Sequence, residues 1–161
     1  MQQAVPPPAA RLKYQTQDSP LTLAEGLAEY YAANLGRVTR PADLPAESAA
    51  LFRSHDACHV IFGLSTTLAD ETLADTRTVF SCDVGLRRYT AYLRADPQAK
   101  ALFAELGWVK GIAITLACLP RIARAAFEAL RMTKRWPWAP PESYAARTLT
   151  DLRREYGIRV I

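Results

Sequence analysis

The sequence has few of the residues that build disulfide frameworks or multi-histidine metal centres. It contains three cysteines, Cys58, Cys82 and Cys118, an odd number with no CxxC pair. This argues against a disulfide framework and favours a reducing compartment. Only two histidines occur, His55 and His59. Any site built on imidazole ligands therefore has at most these two and draws its remaining ligands from other residue types.

Long hydrophobic runs and a strong excess of one charge are also missing. Residues 1–20 contain no apolar run of the secretory kind, and the most apolar stretch, residues 107–120, is shorter than the ~18 residues of a membrane span. The net charge of +4 is a mild excess without a dense basic stripe, so no nucleic-acid partner is expected. We expect a soluble or membrane-peripheral protein, located in the cytoplasm and peripheral on the inner membrane if the source is bacterial.

Half of the residues are hydrophobic and 22% are charged, which allows the chain to bury a core. No segment alternates with a period of two, and Gly, Pro and capping residues divide the chain into helical segments. We predict an all-α, single-domain bundle of six to seven helices over residues 19–161, preceded by a flexible Pro/Gln-rich tail over residues 1–18. The predicted helices cover residues 22–36, 45–63, 65–94 with a break at Gly85 left open, 96–107, 108–135 with a kink at Pro120, and 148–157.

The segment His55-Asp56-Ala57-Cys58-His59, followed by Glu71, is the candidate chemical centre. His55 and His59 are four residues apart, so on a helix both rings lie on one face and can reach one ion. Glu71 would lie roughly 18 Å further along a straight helix, so it can join them only if the chain reverses in between. Gly63 and the hydroxyl residues that follow it supply a helix end and restart. Asp56 either binds the ion or orients a histidine.

Less specific interpretations fit the same residues. Both histidines share a helical face with Leu51 and Phe62, as core histidines with backbone partners would. Asp70 and Glu71 would also suit the first turn of a helix, beside its positive end. A metal-dependent phosphohydrolase is a further alternative because such enzymes contain adjacent His-Asp pairs, but the absence of a third histidine argues against it.

The pattern His55-Asp56-x-x-His59, eleven residues, then Glu71 resembles the signature of the coenzyme Q (ubiquinone) biosynthesis protein 4 family. Gly63 falls where that family commonly has glycine. The ending over residues 149–158 is also similar, and the resemblance covers residues 20–158, more loosely between these two parts.

Two positions depart from the family pattern. Cys58 stands where members tend to have a bulky apolar residue, and Asp70 where a small residue is common. Either could change the metal preferred or offer a competing ligand.

The resemblance implies a divalent metal, zinc or iron with magnesium as a further candidate, held by His55, Asp56, His59 and Glu71 as metal-binding and catalytic residues. It implies oxidative decarboxylation at ring carbon 1 of a prenylated quinone precursor, with a carboxyl replaced by a hydroxyl. A non-catalytic scaffold that binds isoprenoid lipid and other ubiquinone-biosynthesis proteins is the alternative. Whether the chain is an enzyme, and whether it forms a homodimer, are left open.

The segment over residues 108–130 is consistent with a lipid ligand. It is apolar and interrupted by small residues that could line an isoprenoid groove, with basic residues around it and Trp136 and Trp138 placed to contact a membrane surface. The small residues are Gly111, Ala113, Ala117, Ala123, Ala125 and Ala126, and the basic ones are Arg121, Arg124, Arg131, Lys134 and Arg135. The alternative is a core helix with a solvated basic face.

Overall fold

The computed structural model describes residues 11–85, 87–90, 97–139 and 141–161, with the backbone alone at 47, 97–111, 114 and 115. Its α-helices, α1 to α5, are Leu23–Ala33, Ala46–Phe62, Leu68–Ser81, Pro97–Leu130 and Leu149–Tyr156. Short 3-10 helices cover Lys13–Gln15, Pro41–Asp43 and Pro141–Tyr144. Most described residues are helical and none forms a strand, which confirms the all-α prediction.

Helix α1 begins at the capping box expected from the sequence. The Thr22 hydroxyl accepts the Glu25 N–H at 3.2 Å, and the Glu25 carboxylate accepts the Thr22 N–H at 2.8 Å. The helix then packs closely on α2: a Cβ atom at Gly26 would lie 2.7 Å from Val60 Cγ1. This close approach brings the aromatic residues at the end of α1 beside the histidines of α2.

Helix α3 is shorter than predicted. It ends at Ser81 because Cys82 is extended and forms a β-bridge with Trp136, whose N–H donates to the Ser81 carbonyl at 2.8 Å. Gly85 follows with a φ of +67°. The helix predicted over residues 65–94 is therefore interrupted at residues 82–84, just before Gly85, where the sequence left a break open. Its predicted end at Arg94 lies outside the described residues.

Helix α4 is one continuous helix where the sequence predicted two. It passes through Gly107 and Pro120 and ends at Leu130, not at Arg135. A lone glycine costs a helix only about 1 kcal/mol relative to alanine, which a flanking helix of this length outweighs. The chain leaves the helix after Leu130 because residues 131–136 turn back towards Cys82.

Trp136 and Trp138 lie in the hydrophobic core and are each 1% exposed. The Trp136 ring contacts the rings of Tyr144 and Tyr156. The backbone N–H of Trp138 donates to Asp83 Oδ1 at 2.6 Å. The prediction that these two tryptophans contact a membrane surface is therefore wrong. Their burial follows from the bridge to Cys82, a long-range contact that the local sequence does not reveal.

Residues 11–18 are part of the folded domain, so the flexible tail predicted over residues 1–18 is wrong for this part of it. Tyr14 is fully buried, and its hydroxyl donates to the Leu64 carbonyl at 2.9 Å. The buried Arg153 of α5 donates to backbone carbonyls of Tyr14 and Val60, so it joins the N-terminal segment to α2. Residues 1–10 lie outside the described residues.

Candidate metal centre

Helix α2 places both histidines inside the protein. His55 and His59 are one turn apart, with ring centroids 4.8 Å apart, and they are 5% and 0% exposed. The His59 ring stacks on Tyr30 of α1 with centroids 5.4 Å apart, and the His55 ring meets Trp138 edge-on at 6.3 Å. These aromatic contacts limit the orientations that the two imidazoles can adopt.

The reversal that the sequence required is present between α2 and α3. Gly63 ends α2 in the left-handed conformation, with a φ of +71°, and Leu64 N–H donates to the His59 carbonyl at 2.8 Å. Thr67 then caps α3 by accepting the Asp70 N–H at 3.3 Å. The reversal brings Glu71 back to the histidines, and its Oε2 lies 3.3 Å from His59 Nε2.

Asp70 stabilises this corner. Its Oδ2 accepts hydrogen bonds from the Ser65 N–H and hydroxyl, and its Oδ1 pairs with Arg121 of α4 at 2.9 Å. Burial alone would raise the pKa of Asp70, but these hydrogen bonds and the Arg121 charge lower it below its usual value. The position that departs from the family pattern therefore forms part of the turn, and its side chain is turned to Ser65 and Arg121.

The hydrogen bond of His59 determines which of its nitrogens can bind an ion. Nδ1 lies 3.0 Å from the Ser65 carbonyl, which can only accept, so Nδ1 carries the proton and donates it. In neutral His59 the unprotonated Nε2 then points towards the Glu71 carboxylate, and two acceptors face each other. A proton or a cation between them relieves that repulsion. A backbone carbonyl on the far nitrogen is also the usual arrangement of a metal-binding histidine.

The two histidines have opposite protonation tendencies. Burial, followed by the neighbouring His59, lowers the pKa of His55 well below its usual value, so its ring is neutral. Burial also lowers the pKa of His59, but the Glu71 carboxylate outweighs it and raises that pKa to about 9. The site thus offers one neutral imidazole, together with a second imidazole and a carboxylate that share a proton.

His55, His59 and Glu71 each offer one ligand atom, and these three atoms lie within 4.8 Å of one another. Two ligands of a tetrahedral zinc ion are about 3.4 Å apart for bonds of ~2.1 Å. The 3.3 Å between His59 and Glu71 already matches that spacing, so a small inward shift of the third atom completes a three-ligand set. His55 and His59 would hold such an ion from the buried side of the site, and Glu71, whose side chain is 35% exposed, would hold it from the side nearer to solvent.

Asp56 is buried but does not belong to this group of three. Its Oδ2 accepts the Tyr31 hydroxyl at 2.7 Å, and its Oδ1 lies 4.0 Å from His55 Nδ1. The distance to His55 is too long for a hydrogen bond, so Asp56 lies beside His55 as a charge and is held there by Tyr31. Cys58 also lies apart from the group, since its Sγ contacts Cys82 Sγ at 3.7 Å.

Sequence reasoning missed the residues around the ligands. Tyr30, Tyr31, Ser65 and Trp138 all contact the histidines or Asp56, and all but Ser65 lie outside the segment that forms α2, α3 and the turn between them. The only available signal was the adjacent pair of tyrosines on one helix. Their contact with α2 depends on the close packing at Gly26.

Comparison with protein-family models, with curated proteins and with solved structures finds no match for this chain. Within the described residues, no helix combines the length and the apolar character needed to cross a membrane.

Proposed function

We propose that this chain is a metal-dependent, membrane-peripheral protein of ubiquinone biosynthesis that catalyses oxidative decarboxylation of a prenylated aromatic acid. The observation that carries the proposal is the convergence of His55, His59 and Glu71, which requires the helix reversal at Gly63. The sequence pattern of these residues resembles that of the coenzyme Q biosynthesis protein 4 family, and their geometry suits a bound divalent ion.

The ion would be held by one ring nitrogen of His55, either Nε2 or Nδ1, by His59 Nε2 and by a Glu71 oxygen. It would act as a Lewis acid towards the carboxylate and the phenolic oxygen of the substrate ring. If the ion is iron, it would also supply redox activity. Zinc, iron and magnesium all remain candidates, because metal supply and geometry override simple affinity. Asp56, held by its hydrogen bond from Tyr31, would place a negative charge beside His55. The buried aromatic rings of Tyr30 and Trp138 would exclude water from the inner side of the site.

Exposed apolar side chains on α4 support contact with a lipid. Ile112, Leu116, Leu119 and Phe127 are about half exposed and Leu130 is 85% exposed, at spacings that place several of them along one side of the helix. Three of the five basic residues of the same region are engaged within the protein: Arg121 pairs with Asp70, Lys134 with Glu155, and Arg135 donates to the Cys82 carbonyl. Any membrane contact would therefore depend on the apolar residues more than on these cations.

The test is turnover of a prenylated 4-hydroxybenzoate by protein loaded with Fe²⁺ or Zn²⁺ under oxygen. Release of carbon dioxide together with a new ring hydroxyl is the expected result. Glu71→Gln should abolish it, whereas Glu142→Gln, which removes the same charge from an exposed position, should leave it intact. Turnover that is equal in both variants would contradict the proposal.

The exposed apolar residues of α4 also suit the second candidate, a non-catalytic scaffold that binds isoprenoid lipid. Under that candidate the metal-loaded protein co-purifies with a prenyl lipid and turns over no substrate. Extraction of bound lipid from the same preparation used for the turnover assay therefore separates the two functions.

A further inference from the structure

A second polar site lies away from the metal centre. A cleft of about 710 Å³ opens between the C-terminal part of α4, helix α5 and the last residues of the chain. His55, His59 and Glu71 do not contribute to its wall. Five arginines and two acids line the cleft, so its walls carry an excess of positive charge.

Most of this positive charge has no anionic partner in the described part of the protein, although the Arg131 guanidinium lies 5.6 Å from the centre of the Phe127 ring. Arg124 and Arg131 lie on one face of α4, seven residues apart, and Arg159 faces them from the chain end. None of the three takes part in an ion pair between described residues, whereas Arg154 pairs with Asp151 at 3.2 Å. Three guanidinium groups are therefore available to an anion, each with donors arranged to match its oxygens.

The wall that carries Arg159 is held in place by hydrogen bonds. The Ile158 N–H donates to the Arg153 carbonyl at 2.8 Å, and the Val160 N–H donates to Gln17 Oε1 at 2.8 Å. The Arg159 carbonyl accepts Nη2 of the fully buried Arg77 at 3.1 Å. This wall is therefore preorganised, which reduces the entropic cost of binding a ligand there.

Glu128 gives the cleft a second kind of contact. It lies between Arg124 and Arg131 on α4 and is only 9% exposed, and its buried Oε2 has no hydrogen-bond partner among the described residues. A buried carboxylate oxygen without a donor costs free energy, so a ligand that brings a donor to the Glu128 carboxylate, with its side chain turned towards the cleft, recovers that free energy on binding. The cleft therefore suits a ligand that is anionic and also carries an O–H.

We propose that this cleft binds a phosphate group, which accepts hydrogen bonds from Arg124, Arg131 and Arg159 and donates its own O–H to Glu128. A phosphate monoester carries both a negative charge and an O–H in its monoanionic form, which is populated at and below its second pKa of about 6. The group belongs either to a soluble monoester or to a lipid headgroup, since both present the same chemistry. The inference goes beyond the proposed function and does not depend on the metal.

The probe that tests the donor contact is inorganic phosphate compared with sulfate. Sulfate has the same shape and at least as much negative charge but no O–H at pH ~6, so it leaves Glu128 without a donor. Phosphate should bind about tenfold or more tightly than sulfate, and should shift the backbone amide resonances of residues 157–160 in the NMR spectrum. Equal affinity for the two anions, or no shift at these residues, would overturn the proposal.

The variants that test the arginines are matched in charge. Arg124→Gln with Arg131→Gln should weaken phosphate binding by about tenfold or more, because it removes two of the three guanidinium contacts. Arg37→Gln with Arg40→Gln removes the same charge from exposed positions elsewhere and should leave binding unchanged. If both double variants lose the same phosphate affinity, the effect comes from the net charge of the protein and not from this cleft, and the proposed site is refuted.

Two further probes identify the source of the phosphate. Glycerol 3-phosphate is compared with vesicles of phosphatidylcholine and phosphatidic acid in equal parts, with pure phosphatidylcholine vesicles as the control. Saturable binding of glycerol 3-phosphate supports a soluble monoester. Binding of the mixed vesicles alone, lost in the Arg124→Gln/Arg131→Gln variant, supports a lipid headgroup. If neither probe binds, the proposal fails.

Discussion

His59 is the residue on which the candidate metal centre depends most. Its Nδ1 donates to the Ser65 carbonyl, its ring stacks on Tyr30, and its Nε2 faces Glu71. A surface histidine has none of these constraints and changes orientation freely. The arrangement explains why a buried imidazole remains basic: the adjacent carboxylate outweighs the loss of hydration and holds a proton until a cation replaces it.

Metal binding should therefore release a proton in a pH-dependent manner. With the pKa of His59 raised to about 9, the ring is protonated at pH 7 in the metal-free protein, and an ion must displace that proton. We expect release of about one proton per ion at pH 7 and almost none above pH ~10. Calorimetric titration with Zn²⁺ in buffers of different ionisation enthalpy measures this number. No proton release at pH 7 would contradict the assignment.

The same pair should influence the stability of the metal-free protein. The folded pKa of His59 lies above its unfolded value of about 6.5, so its stabilisation is fully present below pH ~6.5 and is lost as pH rises through about 9. Glu71→Gln removes the carboxylate that raises this pKa, so the decrease in stability between pH ~6.5 and ~9 should become smaller. Urea unfolding across this range, with Glu142→Gln as the control, measures it. An unchanged decrease in Glu71→Gln would contradict the pairing.

At the scale of secondary-structure elements, the corner between α2 and α3 determines the site. Gly63 has a φ of +71°, and a Cβ added to it would lie 2.7 Å from Val160 Cγ1. Gly36 has a similar φ of +75° but nothing within 4 Å of such an atom. The two glycines therefore share the conformational requirement and differ in crowding.

Replacing each glycine by alanine separates these effects. Gly36→Ala should cost about 1 kcal/mol, the penalty for a left-handed non-glycine residue. Gly63→Ala should cost about 2–4 kcal/mol because crowding against Val160 is added, and it should also weaken metal binding by moving Glu71. Chemical denaturation measures both costs. Equal costs, with metal affinity unchanged, would show that the corner tolerates a side chain and does not control Glu71.

The sequence predicted the elements whose signals are local. The Thr22 capping box, the glycine that ends α2 and the Thr67 cap are each encoded within a few residues, and together they predicted the chain reversal correctly. The same local reasoning gave Gly107 too much weight, because one glycine does not outweigh the remainder of a long helix. The end of α3 was missed since it depends on the bridge from Cys82 to residue 136.

At the scale of the whole molecule, buried arginines connect distant segments of the chain. Arg153 is 1% exposed and donates to the carbonyls of Tyr14, Thr16, Val60 and Ile61. Composition and periodicity gave no sign of this role for Arg153, because neither reports which carbonyls remain unpaired after the helices pack. The burial of Trp136 and Trp138 escaped sequence reasoning for the same reason.

Adjacent arginines allow a controlled test of this role. Arg153→Met should destabilise the fold by about 3 kcal/mol or more, because it leaves several buried carbonyls without donors. Arg154→Met removes the same group from a side chain that is 75% exposed and should change the stability by less than about 0.5 kcal/mol. Thermal and urea unfolding report both values. Similar losses for the two variants would show that the hydrogen bonds of Arg153 do not stabilise the fold.

The central claim is that α2 and α3 together bind one divalent ion through two imidazoles and a carboxylate. Calorimetric titration of metal-free protein with Zn²⁺, with metal content confirmed by mass spectrometry, tests it most directly. We expect one ion per chain in the unmodified protein and in Glu142→Gln, and a loss of affinity of about 100-fold or more in His59→Ala and Glu71→Gln. The same affinity and stoichiometry in all four proteins would contradict it.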